Sequence, residues 1–278
     1  MSRALINIFD LTVCYRPKSG DPVVALDGVS LRLWAGEIVG ILGESGSGKS
    51  TLASSIIQLL SAKSERHGSV LFQERELTQM NEHELRRIRG RHISLVPQDP
   101  AISLNPIIRA GTQIAEVLRA HLPLNRKERK DRVLELLRQV GFDDPDRIAA
   151  SYPHQLSGGQ RQRVVIAQAI ACRPDLIIAD EPVSKLDSPL QGQLIELIRT
   201  LVRQNNTALL WVTHDPATLV GFADRIAVMQ KGRIVEEGKP QEIFRRPADA
   251  YTATFMQLSR ELALGSVDAR TRAANYVE

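Results

Sequence analysis

The chain has 278 residues, of which 43% are hydrophobic and 24% charged, and a formal net charge of +4. This composition is that of a globular protein with one large core or a core and a subdomain. Its 4% aromatic content argues against a surface that stacks on bases, so we expect no nucleic acid partner. No apolar stretch approaches the roughly 18 residues of a membrane span, and the N-terminus lacks a signal-peptide core. We therefore expect a cytoplasmic protein that reaches a membrane only through partners.

Two strands and a turn are predicted near the N-terminus. Residues 5–15 are typical of an edge strand, and residues 23–33 alternate apolar and polar side chains as a second strand would. Residues 16–22 contain two prolines and a glycine, which favours a turn between the two strands. The chain is therefore expected to begin as β structure.

Residues 43–50, with the sequence GESGSGKS, match the phosphate-binding pattern G-x-x-x-x-G-K-[ST] at each specified position. An apolar strand at 37–42 precedes them and a helical pattern at 51–60 follows, which is the setting this motif needs. Backbone N–H groups of such a loop point at phosphate oxygens. We expect Lys49 to reach the β- and γ-phosphates and the Ser50 hydroxyl to bind Mg²⁺. The predicted nucleotide-binding residues of this segment are Gly43, Glu44, Ser45, Gly46, Ser47, Gly48, Lys49, Ser50 and Thr51.

Short strands and a capped helix are predicted after the phosphate loop. Residues 70–72 and 93–96 are typical of strands. Asn81 and Glu84 form a capping-box pattern, which predicts a short basic helix that ends near Gly90.

From residue 99 to about residue 157 the patterns are helical, and we expect a helical subdomain there. One helix is predicted over 107–121. A capping box at Asn125 and Glu128 opens the next helix, and we interpret its charged residues 126–132 as a solvated face. Its apolar residues recur at helical spacing before Gly141, at Val133, Leu136, Leu137 and Val140.

Ser157, Gly158, Gly159 and Gln160 open another predicted helix. A hydroxyl and bare N–H groups at a helix start suit an anion. The first loop already covers a triphosphate, so a second phosphate site within one chain would be redundant. We therefore expect two chains, each contributing this helix start to the nucleotide of the other.

Two acidic residues follow a predicted buried strand. The apolar runs 176–179 and 208–212 are typical of strands in a parallel sheet that is covered on both faces. Asp180, at the end of the first run, is expected to bind Mg²⁺ beside the phosphate loop. Glu181 is expected to orient or deprotonate the attacking water.

The C-terminal part is predicted to contain a hairpin and a tail. Lys231 and Gly232 favour a tight turn between strands at 226–229 and 233–236. Residues 259–278 are polar, and we expect them to form a fraying tail outside the main domain at 1–258.

The sequence LSGGQRQR at 156–163 resembles the signature of ATP-binding cassette (ABC) ATPases, and the resemblance spans about residues 5–257. It implies an α/β P-loop ATPase fold with a mainly parallel core sheet and an antiparallel β subdomain. The helical subdomain at about 99–157 would be inserted into it. The resemblance also implies that residues 157–160 contact ATP bound to a partner cassette.

The resemblance gives roles to residues that carry no signal alone. Tyr15 stands where the family stacks an aromatic ring on adenine. Gln98 matches the glutamine that touches Mg²⁺ or water, and His214 matches the histidine that contacts the γ-phosphate. The loop expected at the dimer seam holds Ser184, Lys185 and Asp187. The predicted catalytic residues are Glu181, His214, Lys49 and Gln98, and the predicted metal ligands are Ser50, Gln98 and Asp180.

A narrower resemblance links the chain to ATPase subunits of dipeptide, oligopeptide and nickel importers. It rests on the segments 97–106 and 152–156 and on residues 242–252. The chain departs from that pattern in three ways. Asp249-Ala250 replace the usual His-Pro, the C-terminal cysteine cluster is absent from the sequence, and Lys185 stands where alanine is usual.

We therefore expect an ATPase subunit that binds ATP and Mg²⁺ at the cytoplasmic face of the cell membrane. Peptides are the first expected cargo and nickel complexes the second. The expected partners are two membrane-spanning permease subunits, a solute-binding protein and a second ATPase subunit. Two facing copies of Lys185 would repel at a seam, which favours a second subunit of different sequence. The alternatives are a regulatory cassette that binds ATP without turnover, and a non-transport ABC ATPase acting in translation or DNA repair.

Overall fold

The computed structural model describes residues 3–16, 21–61 and 63–261. The strands are β1 (Ile6–Tyr15), β2 (Val23–Leu33), β3 (Ile38–Leu42), β4 (Ser64–Phe72), β5 (Arg75–Glu76), β6 (Ile93–Val96), β7 (Leu176–Asp180), β8 (Ala208–Thr213), β9 (Arg225–Gln230) and β10 (Arg233–Gly238). The helices are α1 (Lys49–Ile56), α2 (Glu82–Ile88), α3 (Pro100–Ser103), α4 (Ala110–His121), α5 (Arg126–Gln139), α6 (Pro145–Ala150), α7 (Gly158–Ile170), α8 (Ser188–Gln204) and α9 (Pro240–Arg245), and residues 250–261 are also helical. Across the described ranges, no helix has the length and apolar character to cross a membrane.

A six-stranded sheet forms the centre of the fold, in the order β10-β9-β3-β8-β7-β6. Its strands are parallel except for the β9–β10 hairpin. β3 and β8 are buried along their whole length, as their continuous apolar sequences predict. Because β3, β6, β7 and β8 run in one direction, their carboxyl ends lie at the same edge of the sheet. The residues that follow these four strands are therefore brought together.

A second, antiparallel sheet has four strands in the order β2-β1-β4-β5. The prediction that residues 5–15 form an edge strand is wrong, because β1 lies between β2 and β4. The strand predicted at 70–72 extends back to Ser64, and its added length covers the open side of β1. The residues of this extension, SERHGS, are polar and carry little strand signal.

The segment at 99–157 contains α3, α4, α5, α6 and a 3-10 turn, Pro153–Gln155. The apolar residues predicted for one face of α5 are all buried, and the Asn125–Glu128 capping box is present. Helix α4 begins at Ala110 instead of residue 107. The preceding residues form a turn instead, in which the Ile108 carbonyl accepts a hydrogen bond of 2.7 Å from the Gln113 side chain.

The predicted hairpin at Lys231-Gly232 is confirmed, and both residues have positive φ angles, 46° and 81°. The predicted tail at 259–278 falls mostly outside the described residues. Its first three residues, 259–261, continue the helical segment that starts at residue 250.

Candidate nucleotide site

The loop between β3 and α1 is shaped by close backbone contacts. Gly48 has a φ of 105°, and a Cβ atom there would lie 2.5 Å from the Ala25 carbonyl oxygen. A Cβ atom on Gly43 would lie 2.3 Å from the Met229 carbonyl oxygen. A Cβ atom at Gly46 would meet nothing within 4 Å. The first two glycines are therefore needed for packing against neighbouring backbone, while the middle of the loop stays open to a ligand.

Lys49 is the first residue of α1, and its side chain turns inward toward this loop. Its Nζ donates hydrogen bonds to the carbonyl oxygens of Gly43, at 2.8 Å, and Glu44, at 2.7 Å. Burial lowers the pKa of Lys49, and the carboxylates of Glu181, Asp180 and Glu44 oppose that shift. Phosphate oxygens are stronger acceptors than carbonyls, so the ammonium is placed to exchange these partners for an anionic ligand.

The Ser50 hydroxyl and the Asp180 carboxylate lie side by side, with 3.2 Å between Oγ and Oδ1. Burial raises the pKa of Asp180; Glu181 also raises it, while Ser50 and Lys49 lower it. A bound divalent cation would favour the ionised form of this carboxylate. Hydroxyl and carboxylate oxygens are ligands that Mg²⁺ prefers, so the donor set fits this ion.

The Glu181 carboxylate is held by two side chains from neighbouring strand ends. Gln98 Nε2 donates to its Oε2 at 2.8 Å, and His214 Nδ1 lies 2.9 Å from its Oε1. Glu181 has a backbone φ of 46°, which is uncommon for residues other than glycine. Its backbone N–H also bonds to the Val212 carbonyl, at 2.9 Å. The structure thus brings three predicted catalytic residues into one hydrogen-bonded group.

A cavity of about 780 Å³ opens above the phosphate loop. The predicted site residues that line it are Glu44, Ser45, Gly46, Gly48, Lys49, Ser50, Thr51, Gln98, Glu181 and His214. Among the residues predicted for nucleotide binding, catalysis and metal binding, Gly43, Ser47, Asp180 and Tyr15 do not line it. Tyr15 is half-buried against the core and pairs across the sheet with Val23, which does line the cavity.

None of the predicted signature residues lines this cavity. Ser157 and Gln160 form a capping box at the start of α7: the Ser157 hydroxyl accepts from the Gln160 N–H at 3.3 Å. Gly158 is exposed, and a Cβ atom there would meet nothing within 4 Å. Within one chain, the signature residues therefore do not contribute to the cavity above the phosphate loop.

The residues predicted at the dimer seam make contacts inside the chain. The Lys185 ammonium forms an ion pair with the Asp99 carboxylate. The Ser184 hydroxyl donates to the Glu181 carbonyl at 3.0 Å, and Asp187 stands at the start of α8. Asp99 was not predicted as a functional residue, and the ion pair spans 86 positions of sequence.

Sequence reasoning also missed part of the cavity wall. Val23 and Val24 from β2 line it, together with Phe255, Leu258 and Ser259 from the helical residues 250–261. A signal for this helix was present, because Tyr251, Phe255 and Leu258 have the i, i+4, i+7 spacing of one helical face.

Comparison with known proteins identifies the family. The model of the family described as ABC transporter matches residues 26–184, more than half of the chain. The oligopeptide transport ATP-binding protein OppD of Escherichia coli is 41% identical over 249 residues, covering 90% of this chain and 74% of OppD. The dipeptide transport ATP-binding protein DppD of Haemophilus influenzae is 42% identical, covering 94% and 79%.

The peptidoglycan transport ATP-binding protein YejF of Agrobacterium fabrum is 44% identical over 253 residues, covering 90% of this chain. The chain spans about half the length of YejF, namely 46%.

Solved structures show the same fold. The post-hydrolysis dimer of the ATP-binding cassette MJ0796, bound to ADP and Pi, superposes with a TM-score of 0.76 at 32% identity. The match covers 84% of this chain and 98% of MJ0796. CbiO1 from Clostridium perfringens, part of the ABC transporter complex CbiONQ, has a TM-score of 0.73 at 26% identity, with 87% and 91% covered. The predicted fold class is confirmed, and this chain belongs to the ABC transporter family as an ABC-type ATPase.

Proposed function

We propose that this chain is the ATP-hydrolysing subunit of an importer for peptides or similar solutes, and that it works at the cytoplasmic face of a membrane with permease subunits. The observation that carries the proposal is the Glu181 carboxylate, hydrogen-bonded by Gln98 and His214 beside a phosphate loop that holds Lys49. The alternative of a regulatory cassette requires a site that binds ATP without hydrolysing it. The hydrogen-bonded group of Glu181, Gln98 and His214 argues against that alternative.

Each residue of the site has a separate role in the proposed hydrolysis. Lys49 binds the β- and γ-phosphates after releasing its two carbonyl partners. Ser50, Asp180 and Gln98 would hold Mg²⁺, which when bound would neutralise charge on the phosphates. Glu181 orients the attacking water and accepts its proton. His214 fixes the carboxylate through Oε1 and can reach the γ-phosphate when that bond opens.

A second cassette completes the site. Residues 157–160 are outside the cavity of their own chain, while their helix start remains suited to an anion. We therefore infer that ATP is bound between the phosphate loop of one cassette and the signature of another. The dimeric arrangement of the MJ0796 cassette supports this inference.

Peptides are the proposed cargo and nickel complexes the second candidate. The support comes from the importer-like segments at 97–106 and 152–156 and from the relatives named for oligopeptide and dipeptide transport. The experiment is uptake of labelled peptides and of nickel by vesicles that contain the assembled transporter. Uptake that is selective for sugars would contradict the proposal.

The second ATPase subunit is predicted to differ from this chain. The predicted repulsion between two facing copies of Lys185 supports this less strongly once the structure is considered. Each Lys185 ammonium already has the Asp99 carboxylate as counter-ion, so two facing copies would repel less than bare lysines. Intact mass of the purified native complex tests the prediction. Two copies of this chain with no second cassette would contradict it.

Lys49→Ala tests the nucleotide site itself. Because the ammonium is the loop's only cation at the predicted β- and γ-phosphate positions, we expect at least about 100-fold weaker MgATP binding. The measurement is calorimetric titration of the full chain, with turnover of the assembled transporter as a second readout. Lys63→Ala, which truncates an exposed lysine elsewhere, is the control. Wild-type affinity and turnover in Lys49→Ala would refute the proposed site.

A further inference from the structure

The cavity above the phosphate loop has one wall that the hydrolytic machinery does not use. The loop, Gln98, Glu181 and His214 line one part of it. The remaining lining comes from the first residues of β2 and from the helical residues 250–261. A cavity of about 780 Å³ lies in the size range of sites for whole small-molecule ligands, so it has room beyond a triphosphate.

Three apolar side chains on this wall, Val23, Val24 and Leu258, are exposed. Val23 is 58% exposed, Val24 is 52% exposed and Leu258 is 51% exposed. Exposed apolar side chains that converge on one cavity favour a flat apolar ligand over a charged one. The only part of a nucleoside triphosphate with that character is the base.

The helical segment is anchored, so its wall is formed in advance. Phe255 is 7% exposed and Met256 4% exposed, which fixes one face of the helix against the core. The Tyr251 ring stacks on the Phe255 ring with centroids 6.0 Å apart. The Tyr251 hydroxyl accepts a hydrogen bond of 3.4 Å from the Glu44 N–H in the phosphate loop. These contacts set the helix beside the loop, and Leu258 projects one turn after Phe255 on the same face.

We propose that residues 250–261 form part of the base-binding wall of this site, and that Leu258 and Phe255 contact the base of the bound nucleotide. The proposal rests on the proposed function, because it takes the cavity to be a nucleotide site. It assigns the base contact to the C-terminal helical segment in addition to the strand region of Tyr15. Leu258 would thereby contribute to affinity for the nucleoside part of the ligand without touching the hydrolysed bond.

Two measurements on the full chain test it. The first is the affinity for ATP of Leu258→Ala, with Gln257→Ala as the matched control, because Gln257 is exposed on the same helix and does not line the cavity. We expect Leu258→Ala to bind ATP about three- to tenfold more weakly and Gln257→Ala to bind as wild type. Leu258 is 51% exposed, so its truncation keeps the core contacts of Phe255 and Met256.

The second measurement is photolabelling with 8-azido-ATP, whose reactive group is on the base. We expect ATP-protectable label on the peptide that contains residues 250–260. Unchanged ATP affinity in Leu258→Ala would overturn the proposal, and so would label confined to other peptides. If the wild-type chain binds no ATP, the proposed function fails first, and that outcome is distinguishable from both.

Discussion

The ion pair between Asp99 and Lys185 connects two loops of the site, the one that contains Gln98 and the one that contains Glu181. Asp99 follows Gln98, whose amide bonds to the Glu181 carboxylate, and its Oδ1 caps α3 by accepting from the Ala101 N–H at 2.9 Å. Lys185 lies four residues after Glu181 on the other loop. The ion pair therefore fastens the two loops at a second point, next to the hydrogen bond between Gln98 and Glu181.

Lys185→Ala is expected to raise the pKa of Asp99. The Lys185 ammonium is the largest cause that holds this pKa below its ordinary value, and the Ala101 N–H is the next. Carboxyl NMR titration measures the change, with Asp99→Asn identifying the resonance. If Lys185 faced a partner cassette instead, the pKa of Asp99 in the isolated chain would be the same in Lys185→Ala and wild type.

The site residues that could be predicted from sequence are those defined by chain neighbours. The phosphate loop is eight consecutive residues, and Asp180 and Glu181 directly follow an apolar run. The Lys185–Asp99 pair joins positions that are 86 residues apart, and the Tyr251–Glu44 bond joins positions 207 apart. No local pattern encodes such contacts, because they depend on how separate elements are placed.

At the scale of elements, Glu76 joins β4, β5 and the following 3-10 turn. Its carboxylate accepts hydrogen bonds from the Val70 N–H at 3.0 Å, the Thr78 N–H at 3.2 Å and the Thr78 hydroxyl at 2.7 Å. The Ser69 hydroxyl is a fourth donor. Burial alone would raise the pKa of Glu76, but these hydrogen bonds outweigh it and hold the pKa below its ordinary value.

Glu76→Gln is expected to lower the free energy of unfolding by about 1–2 kcal/mol at neutral pH, because an amide cannot accept all four bonds. A lowered folded-state pKa means that the carboxylate stabilises the fold above its unfolded pKa. That contribution is lost as pH falls through the folded pKa. The difference between Glu76→Gln and wild type should therefore shrink at pH values below the ordinary 4.5.

Urea unfolding at neutral and acidic pH measures this difference. Glu74→Gln is the control, since Glu74 is exposed and forms a surface ion pair with Arg3. If the difference in the free energy of unfolding between Glu76→Gln and wild type stayed constant with pH, ionisation of Glu76 would not contribute to stability.

Elements with a strong local signal were predicted with the correct type, whereas their order in a sheet was not. The Asn81 and Asn125 capping boxes and the Lys231-Gly232 hairpin are present as predicted. The position of β1 depends on β4, which is separated from it by the phosphate loop and α1. Because strand order is set by pairing between distant segments, residues 5–15 alone could not show whether they form an edge.

At the scale of the whole molecule, the parallel sheet brings the predicted catalytic residues into one cavity, whereas the signature residues stay outside it. The sheet gathers Lys49, Gln98, Glu181 and His214 from four strand ends into one cavity. The signature residues at the start of α7 stay outside that cavity. One chain therefore holds the hydrolytic group, and we propose that turnover depends on a second cassette to supply the remaining phosphate contacts.

Glu181→Gln tests that dependence. The amide preserves the shape of the side chain and can still bond to Gln98 and His214, but it cannot act as a carboxylate base toward water. We expect ATP binding to persist and turnover of the assembled transporter to fall by at least about 100-fold. Unhydrolysed ATP should then remain bound through gel filtration, because the two closed cassettes enclose it.

The double variant Lys49→Ala, Glu181→Gln is the control for trapping. It lacks the ammonium that binds the phosphates, so ATP should not be retained by it. If Glu181→Gln turned over ATP at the wild-type rate, the base would have to be another residue of the cavity. If Glu181→Gln lost turnover and also failed to retain ATP, Glu181 would be needed for ATP binding. The proposal that two cassettes close around unhydrolysed ATP would then be wrong.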